Sequence, residues 1–183
     1  MRLYRQTVED FGLYAGLELS NEQMERLAES AGDTSAKMRA VRIVAASNVS
    51  SRDLEQRLVR KGQTKAQAKA AVEWMEDLKL LDDRETARQI VARCAAHGYG
   101  IARAKQILYE KQIPRDLWPD ALTDYPDQTE NILAFLRVRL GEEPDQRQIK
   151  KATDALLRRG HSWSDVRRAL NEMSVSAESL LEE

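Results

Sequence analysis

Residues 58–75 read LVRKGQTKAQAKAAVEWM, and the same pattern returns twice further along the chain. The pair Lys61-Gly62 has counterparts at Lys111-Gln112 and Arg159-Gly160, which lie 50 and then 48 residues further on. Aligned on these pairs, the repeated apolar positions are Leu58, Leu108 and Leu156, then Ala71, Ala121 and Ala169, then Val72, Leu122 and Leu170, and finally Met75, Tyr125 and Met173. A period of this length predicts units that stack on copies of themselves. Such arrays present surface, which favours a binding protein over an enzyme.

Helix-start and helix-end signals recur in these units. Four segments have the capping-box pattern, namely Thr64/Gln67, Asp82/Glu85, Asp127/Glu130 and Ser162/Asp165. Four glycines occupy positions where a helix end favours left-handed backbone, namely Gly62, Gly98, Gly141 and Gly160. Apolar residues follow helical spacing between these signals, and only residues 2–8 show a weak period of two. We therefore predict an all-α fold of nine or ten helices, built as tandem three-helix repeats that form an elongated, curved array.

The predicted organisation has five segments. They are an N-terminal lead-in at 1–35, repeats at 36–79, 82–125 and 127–174, and an acidic tail at 175–183. Within the lead-in, residues 11–19 predict a short helix and a turn, and Ser20/Gln23 predicts the start of a helix that runs to about Ser30. Residues 32–35, Gly-Asp-Thr-Ser, are the predicted linker.

Composition predicts a folded, soluble helical protein, and the single cysteine fits a reducing cytosol. Apolar residues make up 42% of the sequence, charged residues 32%, and there are only 8 Gly and 4 Pro. No apolar run approaches the length of a membrane span, and the first residues do not resemble a signal peptide. The single cysteine excludes an internal disulfide and a cysteine-based zinc site.

The net charge of −1 conceals a strong segregation of charge. Residues 1–35 carry a net charge of −4, residues 36–119 of +7, and residues 120–183 of −4. A basic centre predicts a polyanionic partner, either nucleic acid or an acidic protein surface. The alternative is a set of solvated helix faces with internal salt links.

No residue pattern predicts catalysis, a metal site or a bound cofactor. His97 and His161 are interpreted as helix-end or turn residues, Cys94 as core, and Asp82 with Asp83 as N-cap residues. The three tryptophans, Trp74, Trp118 and Trp163, are interpreted as core anchors. Helices that follow the repeated pairs are Ala-rich or apolar, which argues against a DNA-reading helix-turn-helix.

The centre of the chain resembles the RecX family. The resemblance rests on Leu80-Leu81-Asp82-Asp83-x-x-x-Ala87, Arg93, Gly98-Tyr99-Gly100-x-x-Arg103 and Leu108-x-x-Lys111-x-Ile113. Upstream, residues 50–62 resemble the first repeat of that family, and residues 11–20 resemble the lead-in helix of some members. The chain departs from the family pattern at Thr86, Ile101, Ile107 and Gln112.

This resemblance implies a non-enzymatic bacterial protein that binds filaments of the RecA recombinase on DNA and modulates them, most often as an inhibitor. It also implies tandem three-helix repeats. We expect a monomer, with single- or double-stranded DNA as a further candidate partner. We expect the partner-binding residues to be the basic residues Arg88, Arg93, Arg103, Lys105 and Lys111, followed by Arg57, Lys61, Arg158 and Arg159. A nucleic-acid-binding module without a recombinase partner is the alternative.

Overall fold

The computed structural model describes residues 3–141 and 144–173 of the chain. Over these ranges the backbone forms ten α-helices and one 3₁₀ turn, and it contains no strand. The helices are α1 (Arg5–Asp10), α2 (Asn21–Ala46), α3 (Ser51–Arg60), α4 (Lys65–Asp77), α5 (Asp83–Ala96), α6 (Ile101–Glu110), α7 (Trp118–Leu122), α8 (Thr129–Arg139), α9 (Gln146–Arg158) and α10 (Trp163–Glu172), with the 3₁₀ turn at Arg115–Leu117. The predicted all-α class is confirmed, and none of these helices is long and apolar enough to cross a bilayer. The predicted acidic tail lies outside the described residues.

Reciprocal side-chain caps start three of the helices. Ser20 with Gln23 caps α2, and Thr64 with Gln67 caps α4, as the sequence predicts. A third capping box, Asp145 with Gln148, starts α9 and was not predicted. Each box satisfies backbone N–H groups that the first helical turn leaves without partners.

Of the acidic residues predicted as N-caps, Asp82 is confirmed, whereas Asp127 and Asp83 are wrong in position. Asp127 accepts hydrogen bonds from the backbone N–H and hydroxyl of Thr129, but Gln128 occupies the N-cap position of α8, and its side chain makes no capping hydrogen bond. Asp82 accepts from the N–H groups of residues 84 and 85, whereas Asp83 bonds elsewhere. The carboxylate of Asp83 accepts from the backbone N–H of Ser51 at 2.8 Å and so ties the start of α5 to that of α3.

The three repeated pairs end their helices in the same way. The residue after the basic one has positive φ in each, at 91° for Gly62, 56° for Gln112 and 86° for Gly160. The following N–H donates to the carbonyl five residues back, which belongs to Leu58, Leu108 and Leu156. This is the Schellman arrangement, and it confirms the predicted left-handed backbone at Gly62 and Gly160.

Gly98 also has positive φ, but Gly141 does not, so the prediction for Gly141 is wrong. Helix α8 ends at Arg139, and the extended backbone of Leu140 carries the chain out of the helix without a left-handed residue.

The N-terminal region differs from the prediction. Residues 5–10 are helical, whereas residues 11–20 form turns in which Gly12 and Gly16 have positive φ. The short helix predicted within residues 11–19 is therefore wrong, whereas the turn predicted there is present. The predicted linker at 32–35 is also wrong, because α2 continues through it to Ala46. Gly32 fits there because a Cβ would lie 2.0 Å from the Nε2 of Gln67, the residue that caps α4.

The chain divides into two compact units, Met1–Thr86 and Ala87–Glu183. In the first unit, helices α2, α3 and α4 enclose one core built from Ala36, Ala40, Val49, Leu54, Leu58, Ala68, Ala71, Val72, Met75 and Leu81. The alanines of α2 and α4 let these two helices approach closely.

The second unit contains two hydrophobic clusters. One comprises Ala87, Val91, Leu108 and Ile113, with the half-buried Trp118 packed against it. The other fills the space between α8, α9 and α10 and includes Ile132, Leu133, Leu136, Ile149, Leu156, Val166 and Leu170. Backbone hydrogen bonds from Gly100 to the carbonyl of Arg159 and from Ala102 to that of Gly160 connect the helices around them. The limits of the three sequence repeats stay a prediction.

Candidate partner-binding surfaces

The nine predicted binding residues all reach the surface. Seven are exposed, while Arg57 and Arg103 are half-buried. Arg57 and Lys61 lie in or just after α3, Arg88 and Arg93 on α5, Arg103 and Lys105 on α6 with Lys111 just after it, and Arg158 and Arg159 at the end of α9. Residues two apart on a helix point to different sides, so Arg103 and Lys105 do not share one surface.

Arg57, Arg88 and Arg103 are paired with carboxylates. Arg57 forms a two-point contact with Asp53, with Nε–Oδ1 at 2.9 Å and Nη2–Oδ2 at 2.8 Å. Arg88 contacts Asp120 at 3.1 Å, and Arg103 lies 3.7 Å from Glu110. The pairs on α5 and α6 are partly solvated, so each contributes only about 0–1 kcal/mol to stability.

Other predicted residues carry charges that no described carboxylate neutralises. Arg93, Lys105, Lys61 and Arg158 are exposed, and within residues 3–141 and 144–173 their side chains make no ion pair. Such cations are available to a partner without first breaking an internal contact. They are the best candidates among the nine for direct binding.

Arginines flank an aromatic ring in the second unit. The guanidinium of Arg159 lies 4.6 Å from the centroid of the Phe135 ring, and that of Arg139 lies 5.4 Å from it. Cation–π contact of this kind holds a guanidinium in place while its N–H groups remain able to donate. Arg159 is therefore positioned as well as exposed.

A basic cleft in the first unit contains residues that sequence reasoning missed. Helices α1, α2 and α3 line a space of about 930 Å³ whose cationic residues are Arg5, Arg39, Arg42, Arg57 and Lys61. Among the residues that the structure describes, those that line the cleft include no Asp or Glu. Arg57 and Lys61 were predicted, but Arg39 and Arg42 were not. The signal for them is their spacing of three on α2, which places both on one helix face.

The histidines and the cysteine serve packing and turns. His161 is buried, and its Nε2–H donates to the carbonyl of Gly98 at 3.1 Å. His97 is exposed, and its Nδ1–H donates to the carbonyl of Arg93 at 2.7 Å. Burial raises the pKa of the Cys94 thiol, although the charges of two nearby arginines act in the opposite direction. These placements confirm the interpretation of both histidines as turn residues and of Cys94 as buried core.

In the part of the chain that the structure describes, no three His, Cys, Asp or Glu side chains converge as metal ligands would. The polar features that stand out are exposed arginines and lysines on a helical scaffold. Fold and surface together define an all-helical protein with exposed basic surfaces.

Known proteins place this scaffold in one family. The chain is 31% identical over 134 residues to the regulatory protein RecX of Xanthomonas campestris pv. campestris strain B100, covering 72% of this chain and 83% of that protein. A crystal structure of regulatory protein RecX superposes with a TM-score of 0.73 at 19% identity, covering 92% of this chain and 88% of the other. The crystal structure of RecX from Lactobacillus salivarius gives a TM-score of 0.70 at 19% identity, with 79% and 98% covered.

The sequence matches no profile of a described protein family. The extent and identity of the match to the Xanthomonas protein nevertheless show that this chain belongs to the RecX family of regulatory proteins.

Proposed function

We propose that this protein binds nucleoprotein filaments of a RecA-type recombinase and inhibits their growth and ATP turnover. The observation that carries the proposal is the relationship to proteins named regulatory protein RecX. The basic residues of the family resemblance support it, because Arg93 and Lys61 are exposed and have no carboxylate partner within the described residues. A filament of recombinase on DNA offers phosphates and acidic side chains to such cations.

Opposed charges would set the rate and register of association more than its final strength. Each exposed ion pair contributes only about 0–1 kcal/mol. Specific binding therefore requires several cations acting together, which agrees with a regulator that contacts an extended assembly. Inhibition would follow if the bound protein blocks addition of recombinase or the movements that accompany ATP turnover.

The proposal is tested by sedimentation. Filaments of recombinase on single-stranded DNA are pelleted with the full chain, in parallel with recombinase alone and DNA alone. We expect the protein in the pellet only when filaments are present, together with a fall in recombinase ATP turnover as protein is added. A protein that stays in the supernatant with filaments and leaves ATP turnover unchanged contradicts the proposal.

The basic cleft of the first unit favours a second candidate, a nucleic-acid-binding module that needs no recombinase. Such a module binds naked DNA, and its affinity falls steeply with salt, with a slope of about −0.7 per neutralised phosphate on single strands. Titrating sodium chloride with and without recombinase separates the two functions. Equal affinity for naked DNA and for filaments would support this second candidate.

A further inference from the structure

We propose that the cleft between α1, α2 and α3 is a binding site for a nucleoside polyphosphate such as a nucleoside triphosphate. The cleft belongs wholly to the first compact unit. Its volume of about 930 Å³ falls within the range of about 300–1,000 Å³ that is typical of small-molecule sites. The site shares Arg57 and Lys61 with the residues proposed for filament binding, but it is tested on the protein alone.

Only two of the five cationic side chains that line the cleft have a carboxylate partner among the described residues. Arg5 pairs with Glu9 at 2.8 Å, and Arg57 pairs with the nearly buried Asp53. The other three cations, Arg39, Arg42 and Lys61, make no ion pair within the described residues. Three uncompensated charges in one concave site suit a ligand with several negative charges.

Two of the cations are held in position. The guanidinium of Arg39 donates to the backbone carbonyl of Lys61 at the end of α3, which fixes its location without neutralising it. Arg57 uses its Nε and Nη2 on Asp53, and its remaining Nη1 lies 3.5 Å from the hydroxyl of Ser47, another residue of the cleft. Preorganised N–H donors bind phosphate oxygens with less loss of side-chain entropy than mobile ones.

An apolar wall completes the site. Leu3, Ile43 and Ala46 line the same space as the cations, together with the half-buried ring of Tyr4. Residues 39, 43 and 46 recur at helical spacing, so α2 supplies both the cationic and the apolar part of one face. A ligand with a flat base at one end and phosphates at the other matches this division, whereas bare pyrophosphate would leave the apolar wall uncovered.

The site is tested by isothermal titration calorimetry on the full chain at low salt. The probes are ATP, tripolyphosphate, adenosine and a 15-residue thymidine oligonucleotide, each without recombinase. We expect ATP to bind more tightly than tripolyphosphate, and adenosine to bind at least about tenfold more weakly than ATP because it lacks the charges.

The variant Arg42→Glu/Lys61→Glu changes two exposed side chains that make no ion pair, so the fold should be kept. We expect it to bind ATP at least about tenfold more weakly. The matched control is Arg52→Glu, an exposed charge on α3 outside the cleft, which should bind ATP within about twofold of wild type. Absence of ATP binding, or equal loss in the control, overturns the proposal. Oligonucleotide binding that the double variant loses, with no binding of ATP, also overturns it and assigns the cleft to a nucleic-acid backbone.

Discussion

The glycines at two of the repeated helix ends are needed for different reasons, left-handed backbone at both and a close backbone contact at Gly160 only. Gly62 and Gly160 both have left-handed backbone, which costs a residue with a Cβ about 1–2 kcal/mol. Around Gly62 an added Cβ would meet nothing within 4 Å, whereas at Gly160 it would lie 2.2 Å from the backbone nitrogen of Arg103. We therefore expect Gly62→Ala to lower the free energy of unfolding by about 1–2 kcal/mol and Gly160→Ala by about 3 kcal/mol or more. Urea denaturation measures both, and equal losses would contradict the close approach at Gly160.

Buried His161 gives stability a pH dependence. Burial lowers the pKa of His161 below its ordinary value of 6.5, and the charge of Arg159 acts in the same direction. The hydrogen bond to Gly98 and the carboxylate of Asp165 act in the opposite direction. Because the folded pKa is the lower one, the unfolded chain takes up the proton first, so stability is full above about pH 6.5 and is lost as pH falls through the folded value.

Thermal unfolding between pH 7.5 and 5.5 checks this expectation. The melting temperature of the wild type should fall by a few degrees over this range, and that of His161→Gln should fall less. His97→Gln, which changes an exposed histidine, should keep the wild-type slope. A wild-type slope in His161→Gln would show that another group causes the dependence.

At the scale of the helix, the three aligned leucines are equivalent core positions. Leu58 and Leu108 are fully buried and Leu156 is 1% exposed, as their alignment predicts. We expect truncation of each to alanine to lower the free energy of unfolding by about 2–5 kcal/mol, because a cavity remains. Leu157→Ala changes the exposed neighbour of Leu156 and should cost less than about 1 kcal/mol. Urea unfolding compares the four variants, and a small loss at any one aligned leucine would break the equivalence of that repeat.

Helix ends could be predicted from the sequence, whereas contacts between helices could not. The boxes at Ser20 and Thr64 and the turn at Gly62 depend on residues within one or two turns, so the sequence contains their partners. The close approach of α2 at Gly32 involves Gln67 of another helix, and the role of Asp83 depends on Ser51. Neither contact follows from spacing along the chain.

The same distinction applies to the candidate binding surfaces. The family motifs predict binding residues at the centre of the chain, where Arg93 and Arg103 occur. Arg39 and Arg42 belong to no such motif, and they become a candidate site only when α2 lies beside Lys61 and the end of α3. Lys79 and Gln112 also have left-handed backbone, although neither is glycine. A search for glycine alone therefore finds neither of these two helix ends.

For the molecule as a whole, we expect binding of the partner to depend on the total positive charge of the surface rather than on any single contact. Residues 36–119 carry a surplus of seven positive charges. Arg93 and Arg103 both occur in the family resemblance, and both belong to the second unit. Reversing both should weaken filament binding without unfolding the protein, since Arg93 has no ion pair among the described residues and Arg103 only a partly solvated one.

The assay is recombinase ATP turnover on single-stranded DNA with increasing amounts of wild type or of Arg93→Glu/Arg103→Glu. Circular dichroism first establishes that the variant is folded. Because each pair contributes at most about 1 kcal/mol, the double change should raise the half-inhibitory concentration by up to roughly thirtyfold. The control variant Arg137→Glu/Arg167→Glu makes the same change in charge on α8 and α10. It should raise the half-inhibitory concentration far less. Equal inhibition by a folded Arg93→Glu/Arg103→Glu variant would exclude this surface, and an equal shift in the control would show that net charge alone determines binding.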